Sequence, residues 1–91
     1  MSVKVFYTSV SGSVEMKKRQ ERILSVLSST GVTFDLIDIS QDSANKEKMR
    51  RIAGNPTALA PQIANGDTYC GDFEAFENAI ENGELQKFLK L

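Results

Sequence analysis

The sequence predicts an α/β domain, a four-stranded mixed sheet flanked by helices in the order β-α-β-α-β-β-α-α. Three observations carry that prediction. Two β-prone runs, "VKVFY" and "VTFDLIDI", bracket a segment of helical spacing, and a strand, helix, strand order of this length is a parallel crossover unit, right-handed with few exceptions. Two further short runs flank Asn65-Gly66, a dipeptide that favours a tight antiparallel hairpin. After the hairpin the apolar residues return to helical spacing. The 91 residues suffice for one core, so a single domain over 1–91 is expected.

Val3 to Tyr7 is a short apolar run that ends in polar loop residues, which reads as a strand in the middle of the sheet. From about Ser13, Met16, Ile23, Leu24 and Leu27 share one side of a helix and a Lys/Arg/Glu cluster the other, until Ser29, Thr30 and Gly31 end it. In the second strand Thr33 and Asp35 alternate with Phe34 and Leu36 before the run becomes continuously apolar around Ile37. "QDSANKEKMRRIAG" opens on a cap-type Asp42 or Ser43, turns Met49, Ile52 and Ala53 inward, and stops at Gly54. The hairpin strands are expected near Gln62–Ala64 and Thr68–Cys70, joined by a type I′ turn at Asn65-Gly66. Phe73, Phe76, Ala79 and Ile80 then share a helical face, Asn82-Gly83 interrupts it, and Leu85, Phe88 and Leu89 resume it.

Composition excludes several classes. With 41% hydrophobic and 25% charged residues the chain is expected to fold as a soluble domain. No run approaches the roughly 20 apolar residues that span a bilayer, and "MSVKVFYTSV" lacks the long apolar centre of a signal peptide. A cytoplasmic location without membrane insertion is therefore expected, with diffusion into the nucleus open at this size. A lone Cys70 cannot close an internal disulfide, and without histidine the chain lacks the usual clusters for zinc, iron or copper, so no metal site is expected. The proline in "NPT" excludes Asn55 as a glycosylation acceptor.

The net charge of −1 conceals an asymmetry: residues 1–54 hold nine Lys/Arg against six Asp/Glu, and residues 55–91 hold two against six. Lys17, Lys18, Arg19 and Arg22, and likewise Lys46, Lys48, Arg50 and Arg51, read as solvated helix faces. No aromatic side chains interleave with them as base stacking requires, so nucleic acid is not an expected partner.

Four segments carry a resemblance: "YTSVSGS" after the first strand, "DISQDSANKEKMR" into the second helix, "AGNPTALAPQIANGD" around the second proline, and "YCGDFEAFENA" into the third helix. Together they cover most of the chain, which resembles the short members of the SH3 domain-binding glutamic acid-rich-like family, relatives of the glutaredoxins. The resemblance implies a thioredoxin-like, glutaredoxin-type fold.

In glutaredoxins the loop after the first strand presents a thiolate at a helix N-terminus, where its pKa is lowered. Here Ser9, Ser11 and Ser13 stand in that stretch. Their hydroxyls are too weakly acidic for thiolate chemistry and form no disulfides, and no histidine is present to activate them as nucleophiles. No catalytic residue is expected, and the serines read as caps and turn formers. Pro61 matches the proline that this superfamily holds in the cis form, implying a cis Ala60–Pro61 bond whose flanking backbone, at Ala60 and Gln62, pairs with an extended thiol peptide in relatives.

The family resemblance also implies that Cys70, Gly71 and Asp72 fall where glutaredoxins hold the charged ends of glutathione. Backbone N–H groups at a helix start can receive a carboxylate there. The added side chain at Cys70 and the carboxylate of Asp72 oppose it, so the expectation is no cofactor, with glutathione at most a weak ligand. For the Cys70 thiol, the helix start favours ionisation and Asp67, Asp72 and Glu74 oppose it. The candidate groove, for glutathione or a peptide, thus comprises Ser9, Ser11, Ser13, Ala60, Pro61, Gln62, Cys70, Gly71 and Asp72. Longer relatives carry a proline-rich SH3-binding segment; here Pro56 and Pro61 lie five apart, not at PxxP spacing, and SH3 binding is not expected.

The function expected is that of a non-catalytic glutaredoxin-like protein, a monomeric binding or adaptor module that meets protein partners and modulates glutaredoxin-linked redox activity. Two alternatives remain open at this stage. One is a weak glutathione-dependent or single-thiol oxidoreductase using Cys70. The other is a cytoskeletal or signalling interaction module using the charged helix faces.

Overall fold

A computed structural model describes residues 2–91 of the chain. Its elements are β1 (Val3–Tyr7), α1 (Val14–Ser29), β2 (Phe34–Asp38), α2 (Ser43–Ala53), β3 (Gln62–Asn65), β4 (Thr68–Asp72), α3 (Phe73–Glu81) and α4 (Leu85–Phe88). The sheet order is β2-β1-β3-β4, with β1 parallel to β2 and antiparallel to β3, and β3 antiparallel to β4. This is the mixed sheet of the expected glutaredoxin-type fold, with β1 central.

Because successive side chains of a strand point to opposite faces, β1 supplies both halves of the core. Val3 and Val5 pack on one face with Ile23 and Leu27 of α1, Ile63 of β3, Phe76 of α3 and Leu89. Phe6 faces the other way, onto Met49 of α2, Ala58 and Ala64. The helices therefore cover both faces of the sheet, α1 and α3 on one side and α2 on the other. Phe76 and Phe88 meet edge to face, with ring centroids 6.1 Å apart, and this contact joins α4 to α3. Among the described residues no helix is long and apolar enough to cross a membrane.

The helix ends follow local chemistry. Ser13 caps α1, its hydroxyl accepting the Met16 N–H at 3.3 Å, and Asp42 caps α2, accepting the Ala44 N–H at 2.9 Å. Gly54 closes α2 at φ 67°, a left-handed conformation that costs glycine little.

The hairpin departs from expectation in register and turn type. Asn65 pairs with Thr68, so the central turn residues are Gly66 and Asp67 rather than Asn65 and Gly66. Only the first of them, Gly66 at φ 60°, has positive φ, which is the pattern of a type II′ turn and not the expected type I′. The buried Asn65 side chain explains the shift: its Nδ2 donates to the carbonyls of Leu89 at 2.9 Å and Lys90 at 3.3 Å. Asn65 is held in the sheet as a clamp on the end of α4. Strand β4 also runs further than expected and bulges, because Ile63 pairs with Gly71 and Ala64 with Tyr69, leaving Cys70 as the extra residue.

Candidate functional site

The loop between β1 and α1 is fixed from below by Gln20. This buried side chain accepts the Thr8 N–H at 2.9 Å and donates to the Thr8 carbonyl at 3.1 Å, so both backbone groups of Thr8 are satisfied. Beyond Thr8 the serines are taken up by polar groups of the chain itself. The Ser9 hydroxyl donates to the Asp38 carboxylate at 2.5 Å, and the Ser40 hydroxyl does so at 2.6 Å. These two hydroxyls, Ser40 first, bring the Asp38 carboxyl down to about 2 against an opposing effect of burial, with lesser help from the N–H groups of the same residues. Ser11 donates to the Ser13 carbonyl at 2.8 Å and closes the turn into α1.

A groove of about 390 Å³ lies between the start of α1, the segment 55–61 and the start of α3. Ser13, Ala60, Pro61, Gln62 and Asp72 line it; Ser9, Ser11, Cys70 and Gly71 do not. The Ala60–Pro61 peptide bond is cis. The segment before it is tied down through side chains. Gln62 donates to the Leu59 carbonyl at 2.8 Å and accepts the Tyr69 hydroxyl at 2.6 Å, while Arg50 donates to the Ala58 carbonyl at 3.1 Å. Among the described residues no hydrogen bond takes up the backbone N–H or carbonyl of Ala60.

The far wall is built by Asp72, which ends β4 and caps α3 by accepting the Ala75 N–H at 3.0 Å. The helix start that the family resemblance offers to an incoming carboxylate is thus already served by the chain's own. Gly71 beside it is demanded by packing. At φ 153°, a Cβ there would lie 2.8 Å from both the Ala75 Cβ and the Phe88 ring.

Cys70 is carried by the bulge onto the core rather than into the groove, half-buried against the Val3/Phe76 cluster. Burial pushes its thiol above the ordinary value, and the nearby Lys90 ammonium offsets part of that. The acidic neighbours weighed from the sequence are not the dominant cause. Burial likewise raises Tyr69, assisted by Asp72 and Cys70.

Several groove residues carry no mark of function in the sequence. Met16 and Arg19 of α1, Leu59 and Phe73 line the groove together, brought from three separate stretches of the chain. Arg19 donates to Glu15 at 2.7 Å, a pair visible as i, i+4 spacing, and its guanidinium lies 5.1 Å from the Phe73 ring centroid, a contact with no local signature. Leu59 is 62% exposed and Val10 77%, so apolar side chains flank the groove mouth and the adjoining loop.

Comparison with known proteins matches this architecture. A fungal structure, the C. albicans actin interacting protein Aip5, superposes with a TM-score of 0.80 at 25% identity, covering 97% of this chain and 87% of that one. A buckwheat glutaredoxin–glutathione complex superposes with a TM-score of 0.72 at 16% identity, covering 98% of this chain and 76% of that one, which is a likeness of fold. The SH3 domain-binding glutamic acid-rich protein homolog of Drosophila melanogaster is 37% identical over an alignment 103 positions long. That alignment takes in all of this chain, which spans 65% of the relative's length. The family model described as SH3-binding, glutamic acid-rich protein matches residues 1–91, and the chain belongs to that family.

Proposed function

We propose that the chain is a non-catalytic binding module that holds an extended segment of a protein partner in the groove beside Pro61, acting as an adaptor and a modulator of glutaredoxin-linked redox processes. The observation that carries this is a groove with an unpaired Ala60 backbone and no thiol in its lining. An extended segment gains backbone hydrogen bonds at such an edge and side-chain specificity from the walls. Disulfide exchange needs a thiolate, and Cys70 is half-buried on the core with its pKa raised. The proposal is for a cytoplasmic monomer without a cofactor, with glutathione at most a weak occupant.

Titration of the ¹⁵N-labelled protein with short extended peptides tests this. Saturable shifts centred on Ser13, Met16, Ala60, Gln62 and Phe73 are expected; shifts absent there, or spread over α2, overturn the groove reading. In a glutathione-coupled disulfide reduction assay the protein is expected to leave the rate at background, and turnover lost with Cys70→Ser would overturn the non-catalytic part.

A second reading is cytoskeletal. It is favoured by the likeness to the C. albicans actin interacting protein Aip5. Co-sedimentation with actin filaments, sensitive to salt and to charge reversal at Lys17 and Lys18 but not to groove substitutions, would support it. No co-sedimentation at low salt would refute it.

A further inference from the structure

The charges around the groove restrict what it can hold, granted the groove reading above. Four charged side chains line it: Glu15, Arg19, Asp72 and Glu74. Arg19 is engaged by Glu15 at 2.7 Å and stacked over Phe73, so the cation in the lining is already compensated. Asp72 receives one N–H from α3. Glu74 is exposed and has no ion-pair partner among the described residues. Three carboxylates against one guanidinium leave the lining net negative. Glutathione brings two carboxylates and one ammonium, and meets like charge there.

We propose that the occupant is a basic, apolar segment: an extended peptide with a leucine-sized side chain resting on Met16, Leu59 and Phe73, followed by Lys or Arg directed to Asp72 and Glu74. The apolar contact supplies the area and the backbone of Ala60 the direction. The carboxylates choose the sign of charge. Each exposed ion pair contributes about a two- to fivefold preference, so the two carboxylates together favour a basic over an acidic segment by about tenfold at low salt. Salt screens this, because the Debye length falls from about 10 Å at ~0.1 M to about 3 Å at ~1 M.

The test uses the full chain and three acetylated, amidated pentapeptides identical except for Lys, Gln or Glu at two positions after a central leucine. Amide shifts in the ¹⁵N-labelled protein report both affinity and location. The Lys peptide is expected to bind about tenfold more tightly than the Glu peptide at low salt, with the gap closing as salt rises. Glu74→Gln is expected to weaken the Lys peptide about two- to fivefold and leave the Gln peptide unchanged. Among the described residues the Glu74 side chain makes no hydrogen bond, so Glu74→Gln is expected to retain the fold. If the Gln or Glu peptide shifts the groove residues at equal or lower concentration than the Lys peptide, the charge assignment is overturned and the groove stands. If none of the three shifts those residues, the groove reading falls and this inference with it.

Discussion

Gly71→Ala should be among the most damaging single-methyl additions in this chain. A Cβ at residue 71 would sit 2.8 Å from the Ala75 Cβ and 2.8 Å from Phe88 Cε1, about 0.6 Å inside the 3.4 Å at which ordinary contact begins. The Ala75 methyl cannot rotate away, since it is fixed to the first turn of α3. The Phe88 ring can retreat only by disturbing its edge-to-face contact with Phe76. Overlap of this kind costs about 1–3 kcal/mol. The backbone adds its own penalty, because φ 153° is a conformation that a residue with a Cβ rarely adopts, at about 1–3 kcal/mol. A total of about 2–4 kcal/mol is expected after partial relaxation, against a whole-domain stability of about 5–15 kcal/mol. Thermal unfolding followed by circular dichroism should show a midpoint lowered by on the order of 10–25 °C. Gly83→Ala is the matched control: it has positive φ but nothing within 4 Å, and only the conformational cost of about 1–2 kcal/mol applies. Equal losses in the two variants would refute the packing argument, and no loss at Gly71 would refute both parts.

Ser13→Ala removes the cap of α1 and is expected to lower stability by about 1 kcal/mol in urea denaturation, with a midpoint equal to wild type refuting the cap. Asp38, held at about 2 by the Ser40 and Ser9 hydroxyls, stabilises the fold fully above its ordinary value of 3.8 and loses that contribution as pH falls through about 2. Its carboxyl carbon should titrate near that lower value by NMR, and Ser40→Ala should raise the midpoint; an unmoved midpoint would contradict the assignment. The Cys70 thiol, raised by burial, should alkylate at least several-fold more slowly than a free cysteine at pH 8, and its contribution to stability declines as pH rises above 9.0. Alkylation as fast as that of a free thiol would show that the bulge exposes it.

Much of the fold was legible because it rests on local pattern. The apolar run at Val3–Tyr7, the cap at Asp42, one of the two residues the sequence offers, and the stop at Gly54 each act over a few residues. The hairpin misled because Asn65-Gly66 is a strong local turn signal. It is outweighed by a contact with Leu89 and Lys90, 24 and 25 residues away, which a dipeptide does not reveal. The site was legible in part for the same reason. Ser13, Ala60, Pro61, Gln62 and Asp72 meet in one groove, whereas Ser9 is drawn to Asp38 across 29 residues and Cys70 is turned aside by a bulge. The Arg19–Phe73 contact arises only when α1 and α3 pack on the same face of the sheet.

The junction at Asp72 and Phe73 has a mechanical consequence. Strand β4 ends at Asp72 and α3 begins at Phe73, with no connecting residue, and both side chains belong to the groove. One wall of the groove is therefore a weld between sheet and helix. A molecule seated there has no loop to order at that side and no hinge to close. Its binding energy passes directly into the sheet and the first turn of α3, so occupancy should register as slower amide exchange at Ala75 and Phe76 and as a higher melting temperature of the whole domain.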